Sequence, residues 1–315
     1  MTTLRDALRE YIGIRRALGT QLQEPAVTLG YFLDFLERQG SEVITTDLAL
    51  CWAMQPKLVQ RATWARRLSM VRRFAAWLSA FDPRHEVPPA RLLDARRRRK
   101  KPHIYTDNEI ERLMAEAARL RSPAGLRSRT YVTLIGLLAS TGLRPNEALA
   151  LNLSDVDLKH GILAIRQTKF GKSRFVPIED STRAALSSYA NRRDKLFPNR
   201  QTEAFLVSDR RTRLQGSAAR RTFARLSSAV GLRPAMEDRR VGRGPRLQDF
   251  RHRFATRRIM EWYRSGLDVD REMPKLATYL GHVDVGHTYW YIDALPELLQ
   301  LATERLRRYQ TGGKR

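Results

Sequence analysis

The chain has 315 residues, 42% of them hydrophobic, which gives room for two domains with cores of their own and excludes global disorder. Its 58 lysines and arginines against 33 acidic residues give a net charge of +25 and a pI near 11.1, the balance of a protein that meets a polyanion, although an arginine-rich protein from a GC-biased genome would read the same way. A single cysteine, Cys51, excludes an intrachain disulfide and a cysteine-based metal site, and no apolar run approaches the roughly 20 residues of a membrane span.

Residues 3 to about 80 read as helices separated by punctuation. Leu4, Leu8, Tyr11, Ile12 and Leu18 recur at helical spacing, as do Leu29, Phe32, Leu33, Phe35 and Leu36 before the break at Gly40-Ser41. Thr45 or Thr46 caps a short helix through Cys51-Trp52 that stops before Pro56. A longer helix is expected from about Leu58 to Leu78, burying Trp64, Leu68, Val71, Phe74 and either Trp77 or Leu78. Its polar side carries Arg61, Arg66, Arg67, Arg72 and Arg73. Each arginine taken singly reads as a solvated face; five on one helix of so basic a chain read as contacts to a nucleic-acid backbone.

Asp82-Pro83 and Pro88-Pro89 end this unit. The run Ala95-Arg96-Arg97-Arg98-Arg99-Lys100-Lys101-Pro102 repels itself and stays extended, as an interdomain linker would. Arg97, Arg98, Arg99 and Lys100 are its candidate phosphate contacts; a nuclear-import signal has the same composition. The expected division is a helical domain over 1–94, a linker over 95–104, a second domain over 105–294 and a tail over 295–315.

The second domain opens at Tyr105-Thr106-Asp107-Asn108-Glu109, where Thr106 and Glu109 have capping-box spacing for a helix through about Arg121. Ser128 to Thr141 is apolar nearly all round and predicts a central helix. Val156-Asp157, Ile162–Ile165 and Arg174–Ile178 predict three short antiparallel strands, the last two flanking the polar turn Thr168-Lys169-Phe170-Gly171-Lys172-Ser173. Helix resumes from Ser181, Phe205-Leu206-Val207 predicts a further strand, and Glu237 to Gly244 a charged loop. Ser217 to Val230 predicts a helix whose Arg220, Arg221 and Arg225 either enter a DNA groove or form a solvated face. Pro296 starts an apolar stripe through Leu298, Leu299, Leu301, Ala302 and Leu306, which either docks on a neighbouring protomer or folds back on its own domain. The fold class is therefore mainly α with a small antiparallel β-sheet.

Three boxes carry the chemistry: Thr141-Gly142-Leu143-Arg144-Pro145-Asn146-Glu147-Ala148-Leu149, Asp249-Phe250-Arg251-His252-Arg253-Phe254, and Leu280-Gly281-His282 with Tyr291 nine residues after the histidine. Attack on a phosphodiester builds charge on its non-bridging oxygens. Arg144 and Arg251 supply planar, permanently charged clamps for those oxygens, His282 a ring donor, and Tyr291 an oxygen nucleophile able to hold the phosphoryl group covalently. Plainer readings stand beside these. Arg144 paired with Glu147 is a helix-surface salt bridge, His252 a structural helix residue, and Trp290 a packing residue. Tyr289 is the rival nucleophile and Lys172 the rival of Lys169.

Together the boxes resemble the tyrosine recombinase, or phage-integrase-like, family over roughly residues 105 to 300. The helical N-terminus is more loosely similar to the family's core-binding domain, and the stretch from His287 to Leu299 resembles recombinases of transposons and other mobile elements. The resemblance implies Arg144, Lys169, Arg251, His282 and Tyr291 as the catalytic set, with Glu147 as an acidic support. The family usually has histidine where this chain has Gln248, and glutamine donates a hydrogen bond but exchanges no proton near neutral pH. The implied activity is site-specific recombination of double-stranded DNA through a 3′-phosphotyrosyl link and a Holliday junction, with no cofactor. It would run in a dimer that becomes a synaptic tetramer, with or without companion recombinases. A type IB topoisomerase and a catalytically weak accessory DNA-binding subunit remain as alternatives. The opening residues, which lack the apolar core of a signal peptide, fit a cytoplasmic, nucleoid-associated protein with no membrane partner.

Overall fold

A computed structural model describes residues 3–20, 22–93, 101–166, 173–199, 202–233, 244–282, 284–293 and 303. The chain divides into two compact units, Met1–Lys100 and Lys101–Arg315. Arg97, Arg98, Arg99, Lys100, Lys169 and Lys172 lie outside the described residues, as do the loop over 237–243 and, apart from Thr303, the tail from 295 onward.

The first unit is four helices: α1 (Leu4–Ala17), α2 (Gln23–Arg38), α3 (Thr46–Met54) and α4 (Arg61–Leu78). Thr3 and Asp6 form a capping box ahead of α1, and the Thr45 hydroxyl accepts from Leu48 N ahead of α3, each satisfying donors that a helix start leaves unpaired. The apolar stripes meet around Phe32, Leu36, Trp52, Val71 and Phe74, with the Phe32 and Trp52 rings 5.0 Å apart. Leu78 closes this core, whereas Trp77 is half-buried. Two expectations need correction. Leu18 caps α1 and is exposed, because the chain has left the helical stripe there, and α4 starts only at Arg61, leaving Leu58 in solvent. Trp64 is half-buried, its indole N–H donating to Pro56 O at 2.8 Å, so the turn before α4 is held by a side chain.

The second unit is helical around a small sheet: α5 (Asp107–Ala118), α6 (Arg127–Thr141), α7 (Pro145–Ala150), β1 (Val156–Asp157), β2 (Ile162–Ile165), β3 (Arg174–Pro177), α8 (Asp180–Leu196), α9 (Gly216–Ala229), α10 (Asp249–Arg264), α11 (Val269–Leu280) and α12 (Gly286–Asp293). The strands run antiparallel in the order β1-β2-β3, with Leu163 facing Val156 on one side and Val176 on the other. The Thr106–Glu109 capping box forms as expected. α6, apolar nearly all round, is the central helix and packs on α5, α8 and α10. Phe205-Leu206-Val207 is not a strand. Its backbone meets loop residues instead, through Phe205 N to Leu151 O and isolated bridges at Ala204 and Val207, and its apolar character comes from burial under Tyr189. Tyr105 stacks on Phe250 at 4.3 Å and donates to Arg246 O, which ties the start of α5 to the start of α10. Among the described residues no helix is long and apolar enough to cross a membrane.

Candidate active site

Two left-handed glycines set the geometry of the site. α6 ends at Gly142, φ +61°, and α11 at Gly281, φ +69°, a conformation that glycine adopts without steric cost. Both are also spaces that a side chain would fill. A Cβ on Gly142 would lie 2.6 Å from the Phe254 ring, and one on Gly281 2.7 Å from Nη1 of Arg174. The chain reverses at these points, so Arg144 (the residue before α7) and His282 (the residue after Gly281) come from different helices to one place.

Arg144 donates from Nη1 to Glu147 Oε1 at 2.7 Å and from Nη2 to Gly281 O at 3.4 Å, which joins the first box to the third. Its side chain stays 32% exposed while that of Glu147 is 7% exposed. Burial alone would raise the Glu147 pKa; hydrogen bonds and charge from Arg174, then from Arg144, outweigh it and hold the carboxyl below the usual range. The Arg144–Glu147 pair is thus a buried network joined by Arg174, and the surface salt bridge of the plainer reading does not describe it.

Arg251, in the first turn of α10, is 1% exposed. Its Nη1 donates to Gly142 O at 3.1 Å, and its Nη2 to Leu280 O at 2.6 Å and to His282 Nε2 at 2.9 Å. Burial lowers its pKa to about 10, with the Tyr291 phenol pulling upward and Arg144 downward, so the guanidinium is charged at neutral pH. A guanidinium only donates, hence Nε2 of His282 accepts and Nδ1 carries the proton, which goes to Thr288 Oγ1 at 2.7 Å.

Tyr291, on α12, is 3% exposed, with its ring stacked on His282 at 6.0 Å and edge-on to His252 at 5.3 Å. Tyr289, two residues earlier, points elsewhere: it is 39% exposed and donates to Asp270 Oδ1 at 2.7 Å. His252 packs against Trp290 and Tyr291 with its Nδ1 buried and unpartnered, and burial lowers its pKa to about 4. Gln248 flanks α10 one turn before Arg251, half-buried, and its side chain makes no capping bond.

The expected DNA-contacting arginines separate by environment. Arg220, Arg221 and Arg225 are all exposed on α9. On α4, Arg61, Arg66 and Arg73 are exposed and Arg72 is half-buried; Arg66 pairs with Glu24, and Arg73 donates to Ser69 O. Arg67 departs from the expected polar face. Half-buried, its guanidinium lies 3.7 Å over the Trp52 ring and donates to Trp52 O, so it packs against the core of the first unit.

Two residues escaped the sequence reading. Arg174 was seen only as the start of a strand, although it donates to both Glu147 oxygens and to Tyr279 O. Thr288 is fully buried and accepts the His282 Nδ1 proton. The spacing of the boxes could not reveal Arg174, whose partners lie 27 and 105 residues away, whereas Thr288 stands only six residues after His282.

Similarity to known proteins identifies the family. The phage integrase family pattern matches residues 104–297. The Sinorhizobium fredii protein y4rB, which carries the name integrase/recombinase, is 43% identical over 312 residues, covering 98% of each chain. The tyrosine recombinase XerD of Caulobacter vibrioides is 29% identical over 93% of this chain and 92% of its own. In fold, the chain resembles the Tn1549 transposon integrase in complex with a circular intermediate DNA, at TM-score 0.63 and 16% identity over 97% of this chain and 100% of that one. It also resembles a lambda integrase dimer bound to a core site, at TM-score 0.58 and 17% identity over 92% and 77%. The chain belongs to the phage integrase family and is a tyrosine-type site-specific recombinase, an enzyme that breaks and rejoins DNA.

Proposed function

We propose that Tyr291 attacks a scissile phosphodiester held by Arg144, Arg251 and His282 of the same chain. The phenol oxygen bonds to phosphorus, the 5′-oxygen leaves, and a 3′-phosphotyrosyl link keeps the bond energy for religation. Arg144, the more open guanidinium, meets the phosphate first. Arg251 then exchanges its bond to His282 Nε2 for one to a phosphate oxygen; the freed Nε2 takes the proton of the attacking phenol and donates it in a hydrogen bond to the phosphate, while Nδ1–H stays on Thr288. Glu147 braces Arg144. Lys169 protonates the leaving 5′-oxygen, which departs as a hydroxyl. Gln248 offers the phosphate a hydrogen bond without a proton, which lowers the rate relative to a histidine there.

Residues 1–94 serve as the core-binding domain, 95–104 as a linker crossing the backbone, 105–294 as the catalytic domain and 295–315 as an inter-protomer contact. Arg61, Arg66, Arg72 and Arg73, with Arg97, Arg98, Arg99, Lys100, Arg220, Arg221 and Arg225, contact the DNA. The protein works at the nucleoid as a dimer that assembles into a synaptic tetramer, alone or with companion recombinases, and passes through a Holliday junction.

One observation carries this reading: a guanidinium 1% exposed that bonds His282, whose ring stacks on that of Tyr291 at 6.0 Å, in a chain of this family. The test is trapping on a nicked suicide substrate. Wild type and Tyr289→Phe should form a covalent DNA adduct, and Tyr291→Phe should bind DNA and form none. An adduct that persists in Tyr291→Phe refutes the assignment.

A further inference from the structure

The Glu147 carboxylate lies between two guanidiniums, and only one of them can meet substrate. Arg144 takes Oε1 and keeps a third of its surface open, whereas Arg174 bonds both carboxylate oxygens, at 3.3 and 2.8 Å, and is only 10% exposed. The Nε of Arg174 goes to Tyr279 O at 2.8 Å, and its guanidinium lies across Gly281, where a Cβ would stand 2.7 Å from Nη1. Its donors are thus turned inward. This arrangement has an electrostatic consequence. A buried carboxylate held by Arg144 alone would cancel that arginine's charge and leave a neutral pair facing the phosphate. With Arg174 as a second cation the trio keeps one net positive charge, and the exposed member is Arg144.

We infer that Arg174 is a positioning residue whose charge offsets Glu147 so that Arg144 remains free to bind the scissile phosphate, while its bond to Tyr279 O holds the end of α11 that carries His282. The inference rests on the proposal that Arg144 binds that phosphate. It assigns a role to a residue whose bonds go to Glu147 and Tyr279 O, and it explains why the third box needs glycine before its histidine: a side chain there would displace Arg174.

The measurement is the single-turnover rate of Tyr291–DNA adduct formation at saturating DNA, for wild type, Arg174→Met, Arg174→Lys and the double variant Arg174→Met/Glu147→Gln. Arg174→Met should lose about a hundredfold in rate, the scale of removing one preorganised charge, with DNA affinity changed by less than about threefold. Arg174→Lys keeps the charge and should stay within about tenfold of wild type. The double variant restores the net charge by removing the carboxylate and should be about tenfold faster than Arg174→Met. A purely structural brace predicts the reverse, with the double variant slower still. Arg174→Met within about twofold of wild type, Arg174→Lys as slow as Arg174→Met, or a double variant no faster than Arg174→Met would each overturn the inference. If Arg174→Met does not fold, Arg174→Lys decides against wild type: a rate within about tenfold supports the inference, and a loss of about a hundredfold overturns it. A wild type that forms no Tyr291 adduct would sink the proposed function itself, a result distinct from these.

Discussion

Gly142→Ala tests whether the packing of α6 against α10 sets the active-site geometry. The alanine must adopt φ +61°, which costs a non-glycine residue about 1 kcal/mol. Its methyl must also fit 2.6 Å from Cδ1 and 2.8 Å from Cγ of Phe254, a ring stacked on Tyr279 at 5.4 Å that has little freedom to yield. Overpacking of this kind costs about 1–3 kcal/mol, for a total of about 2–4 kcal/mol. In a unit of this size that lowers Tm by about 5–15 °C. The displaced ring is on α10, and Gly142 O is the acceptor for Arg251 Nη1, so the guanidinium moves with it. Adduct formation by the folded protein should fall about tenfold or more, since an ångström of misplacement is costly in a preorganised site. Thermal unfolding and single-turnover trapping on a suicide substrate measure the two effects separately. Phe254→Leu in the same chain makes room and should recover part of the rate. A Gly142→Ala protein with wild-type Tm and rate would refute the reasoning, and a lowered Tm with an unchanged rate would refute the coupling to Arg251.

Further outcomes follow from the same geometry. Gln248→His should raise the adduct rate and give it a pH dependence near neutrality; an unchanged rate would show that the glutamine does not limit the natural enzyme. His252 is neutral in the fold, with a pKa lowered to about 4 from 6.5. The unfolded chain therefore binds the extra proton between those values, and stability that is full above about pH 6.5 is lost as pH falls toward 4, by on the order of 3 kcal/mol. His252→Gln should flatten that part of the stability profile in chemical denaturation; an unaltered profile would place the acid sensitivity elsewhere.

Much of the architecture was legible because it is local. The capping box at Thr106–Glu109, the apolar α6 and the three short strands depend on residues near one another in sequence, and each formed close to the expected bounds. The boxes were legible as types and spacing. Their convergence was not, because it depends on where two helices end, at Gly142 and Gly281, and on carbonyls that become acceptors only after those ends meet. Arg67 shows the same limit. Charge and helical spacing put it with its neighbours, but a tryptophan 15 residues earlier captures it. Phe205–Val207 misled for a related reason: a short apolar run is buried here with only isolated bridges at Ala204 and Val207. Spacing after His282 already prefers Tyr291 to Tyr289; the structure adds that Tyr289 donates to Asp270 while the Tyr291 ring stacks on His282.

The central claim is that one chain supplies both the nucleophile and the cations around it, and mixing two inactive variants tests it most directly. Tyr291→Phe lacks the phenol and Arg251→Met lacks the buried guanidinium, and each alone should fail to form an adduct. Combined on one substrate they should still fail, because no subunit then holds both groups. Restored adduct in the mixture would mean that the tyrosine is delivered to a neighbour's phosphate, and the same-chain site described above would not be the one that cuts.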